Sequence, residues 1–154
     1  MAYKEYLKDV KNATHIRIGV GLLLYCSRKI LLEKRSDCKK WGLIGGKVEI
    51  GEMIEETALR ECHEETSLKL KKEGLVFFGL YSDIKEFRVI KYPDKCFHAI
   101  DIIYTYELSI NDLDIKKSDE SLQISFFSIH DIPNNLVPPA KDPINDFLRS
   151  KFKL

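Results

Sequence analysis

One α+β domain is what this sequence predicts, and three observations predict it. Thr14 to Tyr25, THIRIGVGLLLY, begins with alternation and ends in a continuous apolar run, as a buried strand does. Ile54, Ala58, Glu61 and Glu65 step by four, three and four, which places them on one stripe of a helix. Later segments are rich in aromatic and β-branched residues, the composition of strands. A chain of 154 residues with 44% apolar content can bury one real core.

In chain order, Tyr3 to Lys11 reads as a short amphipathic helix ending near Asn12. The strand at Thr14 to Tyr25 turns at Ser27-Arg28-Lys29 into a second short strand, Ile30 to Glu33. A helix over about Glu52 to Thr66 carries early acids suited to its dipole. Leu75 to Tyr81 and Phe97 to Leu108 are strands. The segment between them is basic (Lys85, Arg88, Lys91, Lys95) with Phe87, Tyr92 and Phe97 interleaved. That pattern suits a loop gripping a nucleotide, or simply a soluble connection. Asn111 to Glu120 is polar and loop-like, and Leu122 to Ile129 is a strand. Pro138, Pro139 and Pro143 punctuate the tail before a last helix, about Ile144 to Lys151. No repeat, low-complexity tract or linker interrupts residues 1–154.

Twenty-five basic and 24 acidic residues leave a formal charge of +1, so no global field favours nucleic acid or membrane. The longest apolar run, Ile18 to Cys26, holds two glycines and is too short for a bilayer. MAYKEYLKDVKNAT lacks the apolar segment of a signal peptide. Cys26, Cys38, Cys62 and Cys96 form no C-x-x-C pair, which argues against zinc and fits a reducing cytoplasm.

The most telling stretch is GKVEIGEMIEETALRECHEETSL, Gly46 to Leu68. It holds seven carboxylates (Glu49, Glu52, Glu55, Glu56, Glu61, Glu64, Glu65) opposed only by Lys47 and Arg60. Like charges one turn apart repel, so such density points to a compensating cation, and hard divalent ions take carboxylate oxygens. The stripe that begins with Ile54 and Ala58 turns acidic at Glu61 and Glu65 without changing face. Those acids therefore point into the protein or a cleft, where unpaired carboxylates are costly or take up protons. Glu64, one turn past Arg60, is placed for an ion pair. A salt-bridged surface helix is the competing reading.

Gly46, Glu52 and Arg60-Glu61-Cys62-His63-Glu64-Glu65-Thr66-Ser67-Leu68 resemble the Nudix box, G-x5-E-x7-R-E-U-x-E-E-x-G-U with U apolar. Two positions depart from the family pattern. Ser67 stands where the family has glycine at the helix C-terminus, and Ile44 stands where many relatives have proline. The resemblance implies a Nudix-type α/β/α sandwich with a mixed central sheet. It implies hydrolysis of a nucleoside diphosphate linked to another group, with Mg²⁺ the usual metal and Mn²⁺ an alternative. By position the metal ligands would be the Gly45 carbonyl, Glu61, Glu64 and Glu65, with Glu52 assisting from behind. Glu61 is also a candidate base, and Arg60 would orient the carboxylates. Some relatives recruit a downstream acid instead, for which Glu120 leads here, with Asp119 beside it; either could equally be a solvated loop acid.

Arg35 and Arg17 are candidate substrate contacts, each with a solvated or structural alternative. Trp41 fits packing beside the glycine turn better than stacking on a base. His15, His63, His98 and His130 share no ligand spacing. ADP-ribose or a nucleotide sugar is favoured as substrate, with Tyr81-Ser82-Asp83 a faint pointer to the ADP-ribose-hydrolysing branch. The alternatives are a nucleoside triphosphate, oxidised ones included, and a non-catalytic nucleotide-binding module. Nucleic-acid-directed decapping is disfavoured by the neutral charge. Expected partners are a small-molecule nucleotide and, through the N-terminal helix, a second copy in a homodimer.

Overall fold

The computed structural model describes residues 4–154, except the side chain of Asp112. In chain order the elements are β1 (Glu5–Leu7), β2 (His15–Cys26), β3 (Lys29–Arg35), β4 (Trp41–Gly42), β5 (Ile44–Lys47), α1 (Ile54–Thr66), β6 (Val76–Tyr81), β7 (Val89–Tyr92), β8 (Lys95–Glu107), β9 (Ser121–Ser128) and α2 (Pro138–Phe152). The sheet runs β1-β7-β8-β2-β3-β4, with β5 also on β2, β6 on β8 and β9 on β3. β2 and β8 pair in parallel from His15↔Phe97 to Tyr25↔Glu107, while the other strand pairs are antiparallel. The sheet is thus mixed, as expected.

β2 explains its own sequence. Val20, Leu22 and Leu24 pack with Ala58 and Cys62 of α1. Leu23 and Tyr25 pack with Ala140, Ile144 and Phe147 of α2. A strand covered on both faces has no solvent side, so its apolar residues run on without alternation. Trp41 is buried and meets the Phe127 ring edge-on at 4.7 Å, the packing role anticipated for it.

Three local expectations are corrected. The N-terminal segment is not a helix: Glu5–Leu7 pairs antiparallel with Lys91–Val89, and Tyr3 lies outside the described residues. The segment before Phe97 is not an open basic loop, because Val89–Tyr92 forms a hairpin with Lys95–His98. The last helix starts at Pro138 rather than near Ile144, with prolines in its first turn, where the missing N–H costs nothing, and Pro143 inside it. Among the described residues no helix is long and apolar enough to cross a membrane.

β3 pairs with β2 only at the hairpin end, Tyr25↔Ile30 and Cys26↔Lys29. Beyond that point β5 takes the place beside β2, from Gly19↔Lys47 to Leu22↔Ile44. The split between β3 and β5, roofed by α1, positions the site.

Candidate active site

A cavity of about 530 Å³ opens at this split. β3 contributes Glu33 and Arg35, β5 Gly45 and Gly46, α1 Glu61 and Glu65, and β2 Arg17. The stripe that turned acidic on α1 therefore does face inward: Glu65 is 6% exposed and Glu61 is half-buried beside it.

Arg60 organises the box from outside the cavity. Its Nε and Nη2 donate to both oxygens of Glu52, at 2.7 and 2.9 Å. Its Nη1 donates to Glu61 at 2.8 Å and, more loosely, to Glu64 at 3.2 Å. Glu52 is further fixed by the Glu49 N–H at 2.8 Å and Thr57 Oγ1 at 3.0 Å. The Arg60 bond, followed by the Glu49 N–H, pulls the Glu52 carboxyl down to about 2. Arg60 and Glu52 thus orient Glu61 and stay behind it.

Gly46 packs directly on Glu61, where a Cβ would collide with the carboxylate. The Gly45 N–H donates to Glu65 Oε1 at 3.2 Å. Burial raises the Glu61 carboxyl above its ordinary value, with the Arg60 cation opposing and Glu64 adding to the rise. Burial raises Glu65 much further, reinforced by the neighbouring Glu33 and by repulsion from Glu61. Glu33 is the residue that sequence reasoning missed. It is 3% exposed, and Ser121 Oγ donates to its Oε1. Its signal was visible: ILLE carries a buried strand run into an acid, as the helix stripe does.

The cationic wall comprises Arg17, Arg35 and Lys4. Arg35 is bound to Asp37 by two bonds of 3.0 and 2.9 Å. Burial would raise the Asp37 carboxyl, but Arg35 holds it below its ordinary value. Arg17 lies over the Phe97 ring at 4.8 Å. Lys4 sits over both Tyr6 and Tyr92, and burial together with Arg35 lowers its ammonium to about 8. Arg35 shares β3 with Glu33, two residues earlier.

Other expected site residues fall as follows. Glu120 lines the cavity with an exposed side chain, and its carbonyl accepts from Ser36 Oγ at 2.7 Å. Asp119 is exposed and off the cavity wall, and His63 is exposed. Glu64 does not line the cavity; its side chain is 56% exposed and leans on Arg60. Arg88, read as a loop cation, is 1% exposed and paired with Asp101 at 2.6 Å. Tyr81 and Asp83 serve the fold here, Tyr81 donating to Asp146 at 2.7 Å and Asp83 accepting from the Lys85 N–H.

Among the described residues no three His, Cys, Asp or Glu side chains are gathered so as to hold one ion. The donor chemistry nevertheless fits a hard divalent cation. Glu33 Oε2 and Glu65 Oε2 are buried without a hydrogen-bond partner in side chains that line the cavity, and carboxylate oxygens are the ligands such ions take.

A mixed sheet between two helices, with carboxylates of the first helix facing a cavity, is the α/β/α arrangement that the Nudix resemblance led us to expect. The comparisons agree, for the NUDIX domain family model matches residues 15–147. The chain belongs to the Nudix family and is a Nudix pyrophosphohydrolase. It is 31% identical over 153 residues, 96% of this chain and 82% of the relative, to an ADP-ribose pyrophosphatase of Methanocaldococcus jannaschii. It is 32% identical over 126 residues, 82% of this chain and 75% of the relative, to a putative 8-oxo-dGTP diphosphatase of Bacillus subtilis. Its fold resembles a bifunctional NMN adenylyltransferase/ADP ribose pyrophosphatase of Francisella tularensis, complexed with AMP and a Mn ion. That match has a TM-score of 0.64 at 19% identity and covers 87% of this chain and 41% of the other.

Proposed function

We propose that this Nudix domain, spanning residues 1–154, hydrolyses a nucleoside diphosphate linked to another group, ADP-ribose or a nucleotide sugar before a free triphosphate. The observation that carries the reading is one cavity divided between the box acids Glu61 and Glu65 and the cations Arg17 and Arg35. A pyrophosphate spans such a division, with its charge drawn toward Arg17 and Arg35 and a ring accommodated by Tyr6 and Tyr92. The relative from Methanocaldococcus, similar along nearly the whole chain, supports the ADP-ribose preference.

Mg²⁺ is the cofactor of this proposal and Mn²⁺ its substitute; Glu61, Glu64, Glu65 and the Gly45 carbonyl would hold it. The ion supplies charge neutralisation at the pyrophosphate and a water of lowered pKa. Glu61, oriented by Arg60 and raised by burial, takes the proton of the attacking water, a contribution of about 10²–10⁴-fold. Glu65, anchored by the Gly45 N–H, stays fixed while Glu61 acts. Arg17 and Arg35 hold the phosphates against their own repulsion, and no covalent nucleophile is needed.

A substrate panel of ADP-ribose, a UDP-sugar, dGTP, 8-oxo-dGTP and capped RNA, with Mg²⁺ or EDTA, tests this. The expected result is Mg²⁺-dependent release of AMP and ribose 5-phosphate from ADP-ribose, lost in Glu61→Gln and Glu65→Gln with the fold intact. Wild-type rates in either variant overturn the site. Faster cleavage of 8-oxo-dGTP favours the triphosphate alternative suggested by the Bacillus relative. Binding without turnover favours a non-catalytic module. A loss below tenfold in Glu120→Gln removes that residue as base, which is the outcome expected if Glu61 fills the role.

A further inference from the structure

We infer that Glu33, outside the box and on the opposite wall, belongs to the acid set that takes the divalent cation and stands beside Glu65 in that role. The inference rests on the reading above, that the α1 glutamates hold such an ion.

The geometry is specific to two side chains. Among the described residues, the only buried side-chain nitrogen or oxygen atoms without a hydrogen-bond partner are Glu33 Oε2 and Glu65 Oε2. Both side chains are more than nine-tenths buried, at 3% and 6% exposure, and both line the cavity. Each is tethered by its other oxygen, Glu33 through Ser121 Oγ on β9 and Glu65 through the Gly45 N–H on β5. The free oxygens are therefore held in place rather than left to rotate out to solvent.

Among the described residues, no salt bridge reaches Glu33 or Glu65. Arg35, the nearest cation, has its guanidinium bound to both oxygens of Asp37. Arg60 is occupied by Glu52, Glu61 and Glu64. A packing role would put an apolar residue at this buried strand position after Leu31 and Leu32, because buried acids without partners are unfavourable. A divalent ion resolves both orphaned oxygens at once. It also takes oxygens from several directions, and the two α1 acids that line the cavity, Glu61 and Glu65, share one helix face. Glu33 supplies the second direction from β3.

Mn²⁺ binding to the full chain, followed by calorimetry and by the electron paramagnetic resonance of free Mn²⁺, tests this without recourse to turnover. Glu33→Gln keeps the shape and the Ser121 bond but removes the charge. It should weaken Mn²⁺ binding about tenfold or more, in the range seen when groups around a metal are altered. In EDTA the same variant should melt at a higher temperature than the wild type, because facing acids are relieved. A Kd within twofold of wild type overturns the inference. Glu65→Gln, measured in parallel, separates the two readings. If it loses Mn²⁺ while Glu33→Gln keeps it, only the role of Glu33 falls; if both keep it, the box reading falls as well. Should Glu33→Gln not fold, Glu33→Asp, which retracts the charge, must still weaken Mn²⁺ at least threefold, and an unchanged Kd there is equally fatal.

Discussion

Arg88 Nη2 donates at 2.9 Å to the carbonyl of Pro139, the one that Pro143, four residues on, leaves without a helical N–H. Its Nη1 reaches Asp101 Oδ2 at 2.6 Å. One buried guanidinium thus lets α2 run through a proline and ties it to β8 at the cavity wall. Arg88→Met should cost about 1–3 kcal/mol, because it leaves the partly buried Asp101 without its partner and orphans the Pro139 carbonyl. Urea unfolding measures it. Adding Pro143→Ala to that variant restores an N–H to Pro139 and should recover about 1 kcal/mol. A double variant no more stable than Arg88→Met alone would disprove the carbonyl's share.

Gly45 and Gly46 are adjacent, yet their substitution should separate stability from chemistry. A Cβ on Gly45 would collide with the backbone oxygen of Val20, which cannot move without disrupting β2. Gly45→Ala should therefore destabilise the protein by about 2 kcal/mol or more. A Cβ on Gly46 would meet only the tip of the Glu61 side chain, which can swing away. Gly46→Ala should melt close to wild type while turnover falls at least about tenfold, since Glu61 leaves its place. Thermal melts and kcat on the same preparations check both. Equal activity loss at unchanged stability in the two variants would contradict the distinction.

The Arg60–Glu52 pair should make the site acid-labile. The Glu52 carboxyl is held at about 2, below its ordinary 4.5, chiefly by Arg60 and then by the Glu49 N–H. A depressed carboxyl stabilises the folded state fully above the unfolded value. That contribution is lost as pH falls from about 4.5 toward 2. Glu52→Gln should therefore melt below wild type at pH 7, with the gap closing as pH drops through this window. A gap that stays constant down to pH 2.5 would show that Arg60 does not act through the Glu52 charge.

What was legible in the sequence was whatever periodicity or fixed spacing writes locally. β2 and α1 carry their burial in their own residues, and the box spacing placed Glu61 and Glu65 on the cavity side before any coordinates. What failed was decided elsewhere in the chain. Glu5–Leu7 is too short to show a period, and its strand conformation comes from pairing with β7. The start of α2 was hidden because three prolines read as breaks. The partner that makes Pro143 tolerable, Arg88, is 55 residues earlier. Glu64 keeps the place its spacing gave it, one turn past Arg60, and forms the expected ion pair with that arginine. Glu33 escaped because the acid closing the apolar run ILLE reads as a strand's polar end until its partner across the cavity is known. Only the opposed Glu65 gives it meaning.

Ser67, the departure from the family's glycine, adopts φ +65° and ψ 5° at the end of α1, with its N–H donating to His63 O at 2.9 Å. This is the left-handed conformation that terminates helices, and a side chain makes it costly. The hydroxyl returns little, since its bond to Lys116 O is long at 3.4 Å. Ser67→Gly should therefore stabilise the protein by about 0.5–1 kcal/mol, the conformational relief being partly offset by the freer unfolded chain. Ser67→Val, branched at Cβ, should destabilise it by at least about 1 kcal/mol. Neither should alter KM, because Ser67 lies off the cavity wall. Urea unfolding beside steady-state kinetics decides the matter. Destabilisation by Ser67→Gly would mean that the bond to Lys116, rather than backbone strain, governs this helix end.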